Sequence, residues 1–308
     1  MRFPLALALP VVLVAPAAGR AGDVAALYPD SAIFAFGIDV KEIQNSPLGK
    51  KVIGTDKPFD ATRKLLKVLF PDEVMSVTDA ALKPLETVAN KLERVTVVGD
   101  IIGRGGPPPI AVYLEGEIDE DDYIKAAKGI AKAEDKEFKT EKLGDRQLLI
   151  VGDDRRAMYG LAVSKSLFLI ATTRDLIDEV LDKHAGKKKA KVQKALAGWI
   201  AKVKPAETPI WLAVGELKEL QGILGGVATI ALKADADFRI EIGCDKEDLA
   251  RDLARATESV VDYLSRAKTP QAKVWAAANI TAKQDGKTVV ATGSIPGKIL
   301  IEEYVKQK

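Results

Sequence analysis

ERVTVVGDIIGRGGPPPIAVYLEG, residues 93–116, is the stretch on which the fold turns. An apolar run enters a glycine-rich turn, as at the start of a nucleotide-binding domain. A phosphate-cradling loop continues from its glycines into the first turn of a helix, whose free amide groups point at the anion. Here Pro107, Pro108 and Pro109 follow instead; they carry no amide hydrogen and keep the residues before them extended. Ile110, Val112 and Leu114 then alternate with their neighbours as in a second strand, and no lysine followed by Ser or Thr closes the loop. The stretch is a long hairpin connection between two strands, not an anion site.

On either side, short runs of Val, Ile, Leu and Ala alternate with helical stripes, which argues an α+β or α/β arrangement, taken here as α+β. In CDKEDLARDLARATESVVDYLSRA, residues 244–267, Leu249, Leu253, Ala256, Val260 and Leu264 recur at helical spacing, with Asp245 as the cap and Glu247 and Asp248 near the positive end. In IDEDDYIKAAKGIAKAEDK, residues 118–136, Tyr123, Ala127 and Ile130 form the stripe behind Asp119. That acidic run is a helix start, not a metal cluster.

Laid over each other, these helices carry a larger similarity. VTVVGD (95–100) followed by IAVYLEGEIDEDDYIKAAKGIAKA (110–133) has the strand, turn, strand and helix order of ATIALKADADFRIEIGCDKEDLARDLARAT, residues 228–257. Before them, AIFAFGIDVKEI (32–43) matches PIWLAVGELKEL (209–220); after them, LFLIATTRDLIDEVLDKH (167–184) matches KTVVATGSIPGKILIEEYVKQ (287–307). The expectation is two pseudo-repeated halves, each a largely antiparallel sheet packed against helices. The first half spans 22–186 and is enlarged by helices near 60–92 and strands from 137 to 163; the second spans 206–308.

Residues 1–21 read differently from the rest. Arg2, an apolar run from Phe3 to Val14 and the small residues of APAAGRAG form a secretory signal, cut after Ala21 or Ala17. The run is short for a membrane span of ~20 residues, and Pro4, Pro10 and Pro16 break it. Its removal takes Arg2 and Arg20 and no acid, so a formal charge of +2 falls to zero. A neutral chain gives no global argument for nucleic acid. The single cysteine, Cys244, excludes an intramolecular disulfide, so an exported, periplasmic or secreted fold is held by its core.

The join between the halves, residues 187–205, is read as a lysine-rich helical connector. Val192, Leu196, Trp199, Ile200 and Val203 share one helical face, and Lys187, Lys188, Lys189, Lys191, Lys194, Lys202 and Lys204 crowd the remainder without an acid between them. Such a helix suits an anionic membrane surface or a polyanion. It equally suits packing on its own protein with a solvated lysine face, and that reading is preferred, with the acidic run from Glu115 to Asp122 as internal partner. Lys187, Lys188, Lys189, Lys191, Lys194 and Trp199 are the candidate interaction residues.

No catalytic, cofactor or metal site is expected. One histidine and one cysteine exclude multi-histidine and structural zinc patterns. His184 falls in the last turn of a helix, where it complements the negative end. Cys244 ends a strand just before a helix, a position that can activate a thiol but more often buries it. Ser265 and Lys268 match Ser-x-x-Lys by letter, yet Ser265 stands at a helix end where that chemistry needs a helix start. GSIPG, residues 293–297, lacks the spacing of a nucleophile elbow, and neither the carboxylates nor Trp199, Trp211 and Trp275 suggest a sugar site.

At LYPDSAIFAFGIDVKEIQNSPLGKKV, residues 27–52, the chain resembles a group of uncharacterised exported bacterial proteins plentiful in planctomycetes, which begin with a Leu-Pro-like phrase, a strand and a Ser-Pro segment ending in lysines. DFRIEIGCDKEDLARDLARATESVVDYL, residues 237–264, resembles their recurrent strand-then-helix unit, and Tyr28 stands where leucine usually precedes the proline. The resemblance implies export and a repeated build, and no activity. The sequence thus leads to an exported, non-catalytic binding or interaction protein of the cell envelope. The alternatives are an exported hydrolase and a peripheral membrane or polyanion binder acting through 187–204.

Overall fold

The computed structural model describes residues 24–53, 88, 91–100, 108–133, 135–153, 157–203, 208–217, 219–266 and 270–305. The signal-like segment 1–21, the glycine turn 101–107 and nearly all of the insertion expected near 60–92 lie outside these residues, as does Lys268.

Among the described residues, twelve strands and eight helices alternate. From the first half come β1 (Phe34–Asp39), α1 (Val40–Asn45), α2 (Pro47–Ile53), β2 (Leu92–Gly99), β3 (Ile110–Gly116) and α3 (Glu120–Ala133). The half continues with β4 (Phe138–Leu143), β5 (Arg146–Val151), β6 (Met158–Ser164), β7 (Leu167–Ala171) and α4 (Arg174–His184). α5 (Lys194–Ile200) lies in the connector. The second half supplies β8 (Ile210–Val214), β9 (Ile223–Leu232), β10 (Ala236–Cys244), α6 (Glu247–Arg266), α7 (Pro270–Ala276), β11 (Thr281–Asp285), β12 (Thr288–Ile295) and α8 (Gly297–Val305).

All twelve strands join one antiparallel sheet, in the order β11-β12-β10-β9-β8-β1-β2-β3-β7-β6-β5-β4. The opening stretch is its hairpin: Val97 faces Val112 across β2 and β3, and the Asp100 amide donates to the Pro109 carbonyl at 3.2 Å. The halves meet where β1 pairs with β8, so they share a sheet instead of forming two. At this seam Ala35 faces Ala213 and Gly37 faces Trp211. A β-carbon on residue 37 would fall within the Trp211 indole, so only glycine lets that ring lie flat on β1.

Alternation along the strands sorts side chains to two faces. On the front lie Ala35, Val98, Tyr113, Leu161, Leu169 and Trp211, covered by the turn around Tyr28, by Leu176, Ile177 and Val180 of α4, and by Leu196 of α5. On the back of the first half, Val95, Val112, Leu114 and Leu149 take α3, whose Tyr123 stacks on Phe168 with ring centroids 3.6 Å apart. On the back of the second half, Ile210, Ile230 and Phe238 take Val274 and Leu300, while Cys244 and Val289 take Ala250 and Ala254 of α6. β3 is central and covered on both sides, so it is buried almost throughout, whereas the outermost strands β4 and β11 expose Lys139, Glu141, Lys142, Lys283 and Asp285.

Two local expectations change. α6 begins at Glu247, leaving Asp245 short of the cap position; its amide instead donates to the Gly222 carbonyl at 2.8 Å. Among its described residues the connector is helical only over Lys194–Ile200. Gly186, at φ 71°, ends α4, and the amides of Lys187 and Lys188 both donate to the Asp182 carbonyl, at 2.8 and 3.2 Å. Lysines crowded without acids gain nothing from continuing that helix, and the chain crosses in extended form to α5.

Candidate functional site

α4 presents Leu176, Ile177 and Val180 to the front core, and at the next helical step the same stripe delivers Lys183. Its side chain is only 1 % exposed. An ammonium so placed must satisfy all three donors. Lys183 Nζ donates to the Tyr28 carbonyl at 2.5 Å, to Asp30 Oδ1 at 2.7 Å and to Glu179 Oε1 at 2.6 Å. Asp30 in turn accepts the Lys191 amide at 2.9 Å, and its own amide donates to Glu179 Oε1 at 2.8 Å. Burial acts against the Asp30 charge, but the bonds from Lys183 and the Lys191 amide prevail and hold its carboxyl below the usual range. One buried cation therefore ties the N-terminal turn, α4 and the connector together.

Between α4 and the connector lies an open cleft of about 740 Å³. One wall carries Asp175, Asp178, Glu179 and Asp182 of α4 with Asp30; the other carries Lys187, Lys188, Lys189 and Lys191. Lys188 Nζ stands 3.6 Å and Lys187 Nζ 3.9 Å from the Asp182 carboxylate, both exposed pairs that contribute little to stability. Four of the six residues marked out in the sequence are thus gathered in one place. Lys194 and Trp199 are not in that lining.

Trp199 serves another purpose. It is half-buried, and its indole rests where Gly225 and Gly243 face each other across β9 and β10. A β-carbon at Gly225 would stand 2.8 Å from Trp199 Nε1, and one at Gly243 would stand 2.8 Å from Cζ2. Nε1 donates to the Leu224 carbonyl at 3.4 Å, and Lys202 Nζ lies 4.3 Å over the ring while pairing with Glu241 at 2.7 Å. Trp199→Ala is expected to destabilise the chain by about 2 kcal/mol, less than for a fully buried aromatic. Limited trypsin digestion checks it: cleavage of the variant concentrates at Lys187–Lys202.

The acidic run Glu115–Asp122 is not the partner of the connector lysines. Glu115 lies beside Arg94, and Asp119 and Asp122 hold Lys91, at 3.5 and 2.5 Å. Lys187 and Lys188 pair with Asp182, Lys202 pairs with Glu241, and the Lys191 amide donates to Asp30, because the connector runs over the front while α3 lies on the back. Sequence reading missed Lys183. Its signal was there: a lysine four residues after Glu179, in register with the Leu176 and Val180 stripe.

The reactive residue types do not converge. His184 is exposed at the end of α4 on the front, its pKa lowered by partial burial and by the nearby Arg146 charge. Cys244 is buried on the back under α6, which raises its thiol pKa, and Asp245 adds to the rise. Ser265 falls in the last turn of α6. Among the described residues no group of three or more His, Cys, Asp or Glu is placed to hold a metal ion, and no helix is long and apolar enough to cross a membrane. Comparison of the chain with protein-family models, with curated proteins and with solved structures returns no match.

Proposed function

We propose that the chain is an exported, non-catalytic interaction protein of the cell envelope, meeting its partner at the cleft between α4 and the connector. The observation that carries this is a cleft with one acidic wall, held by the buried Lys183, and one basic wall, tied to it where Asp30 accepts the Lys191 amide. A preformed surface loses little conformational freedom on binding, and opposed charges select a partner carrying both signs in one orientation. Five carboxylates stand among the four lysines, which weakens the polyanion and membrane readings. Ser265, in the last turn of α6, lies outside the cleft lining, which weakens the hydrolase reading in its serine form. Export rests on the signal-like residues 1–21, and the resemblance to exported planctomycete proteins agrees with it.

The halves are read as one duplicated unit. Outward from the seam, β1-β2-β3-β7-β6 and β8-β9-β10-β12-β11 follow the same order, and α3 and α6 lie on the same face. The match ends at the last helix, since α4 packs on the front and α8 on the back. That departure supports placing the contact surface on the first half, where alone a helix and the connector stand side by side over the front.

Lys187, Lys188 and Lys189 all changed to Glu provide the test. Immobilised wild type is expected to retain an envelope protein at low salt, and the variant to retain at least tenfold less. Retention is expected to fall as added salt shortens the screening length. Equal retention by both chains overturns the cleft, binding of heparin or anionic vesicles by the wild type that the change abolishes overturns the neutral-cleft argument, and turnover of a substrate by pure protein overturns the non-catalytic reading.

A further inference from the structure

Asp39, Arg94 and Glu115 stand in a row on the front of β1, β2 and β3, for Asp39 faces Arg94 and Arg94 faces Glu115. Asp39 is 7 % exposed and Glu115 9 %. One guanidinium serves two carboxylates, and it serves them unequally. Asp39 Oδ2 accepts from Arg94 Nη2 at 2.7 Å and Nε at 3.2 Å, while its Oδ1 accepts the Glu42 amide at 2.9 Å, capping α1. Glu115 Oε2 has only a long contact, 3.5 Å from Arg94 Nη1, and Glu115 Oε1 is buried with no hydrogen-bond partner.

Both Asp39 oxygens are therefore partnered and Glu115 Oε1 is not, and a charged oxygen without a donor is costly away from water. We propose that Glu115 is a proton-binding site of the folded chain and that its ionisation loosens the nearby N-terminal turn through Tyr28. The groups facing it are Asp39 from β1, Arg94 and Glu93 from β2, and Tyr28 from the turn; its neighbour on β7 is Leu167, which brings no charge. Burial raises the Glu115 pKa, Arg94 opposes the rise, and Asp39 and Glu93 add to it. Tyr28, 1 % exposed, is raised by its own burial and then by the Glu115 charge, although a hydrogen bond with Thr96 acts the other way. The Tyr28 carbonyl is held by Lys183, and Asp30 stands two residues on, so the proton site lies against the turn that shapes one wall of the cleft.

The folded chain binds this proton more tightly than the unfolded chain, whose glutamates titrate near ~4.3. Its contribution to stability is accordingly present below that value and is lost as pH rises through the folded one. The proposal does not depend on the partner reading, since its tests follow a proton and not a capture. With the side-chain carboxyl carbons of glutamate ¹³C-labelled, and Glu115 assigned through its backbone correlations, a midpoint above that of the unfolded-chain glutamates is expected. A midpoint at or below that value overturns it. Glu115→Gln supplies the second measurement: relative to the variant, the wild-type unfolding constant is expected to rise with pH, up to about tenfold per pH unit between the two pKa values, and wild-type amides at residues 27–32 to exchange faster at the upper end. Parallel pH profiles for the two chains overturn the proposal.

Discussion

Alanine at residue 37 is expected to destabilise the folded chain by about 3 kcal/mol, the upper part of the usual range for overpacking a core. Gly37 lies beneath Trp211 at the seam, and the added methyl would enter the indole nearest its Cε2 atom. The ring has nowhere to go: Trp211 is 4 % exposed and belongs to the same front core as Ala35, Ala213 and Leu196. Equilibrium unfolding in urea measures the loss. Trp211→Leu made in the Gly37→Ala background is expected to be less damaging than in the wild type, because the smaller side chain leaves room for the methyl. Strict additivity of the two changes, or a Gly37→Ala chain as stable as the wild type, would show that the seam does not depend on this contact.

Arg94→Met is expected to have an equal or larger effect, about 4 kcal/mol near neutral pH. The replacement keeps much of the packing but leaves Asp39 and Glu115 buried beside each other without the cation between them. Asp39 loses both of its bonds from Arg94, and Glu115 loses its only partner. As the solution is acidified and the carboxyls take up protons, the deficit should shrink, and Glu115→Gln should restore part of it at neutral pH. Urea unfolding at several pH values checks both trends. A deficit under about 1 kcal/mol that ignores pH would mean that water reaches the row of charges.

Local chemistry carried most of the elements. The three prolines after Gly106 turned a nucleotide-loop lookalike into a hairpin, and the stripe of α3 gave that helix its place and its buried face, whereas α6 buries Ala250 and Ala254 beside the half-buried Leu249 and Leu253 and leaves Ala256, expected in its stripe, exposed. Strand order beyond the hairpins was not available locally. The pairing of β1 with β8 depends on contacts such as Gly37 with Trp211, which are far apart in the chain and have no periodicity to announce them. The lysines of the connector were visible as composition, but their partners were not, because the path of the connector is set by the Asp30 carboxylate and Lys183. Arg94 and Glu115 sit near the ends of the stretch first read, where charged residues look like solvated strand ends. Glu115 is buried and Arg94 partly so because the chain covers both faces of the central strands.

The two outermost strands have a consequence for the molecule among many copies of itself. An open sheet invites another chain to add a strand at its rim, the first step toward a filament. On β4 the sequence FKTEKL meets an antiparallel copy of itself, in the symmetric register, with Lys139 opposite Lys142 twice over. Each of these two rungs sets one ammonium against another, one rung on either face, and growth from that rim in this register is opposed. β11 offers only TAKQD, too short and too polar to template an apolar ladder. Both borders of the twelve-stranded sheet are thus ill-suited to adding a further strand.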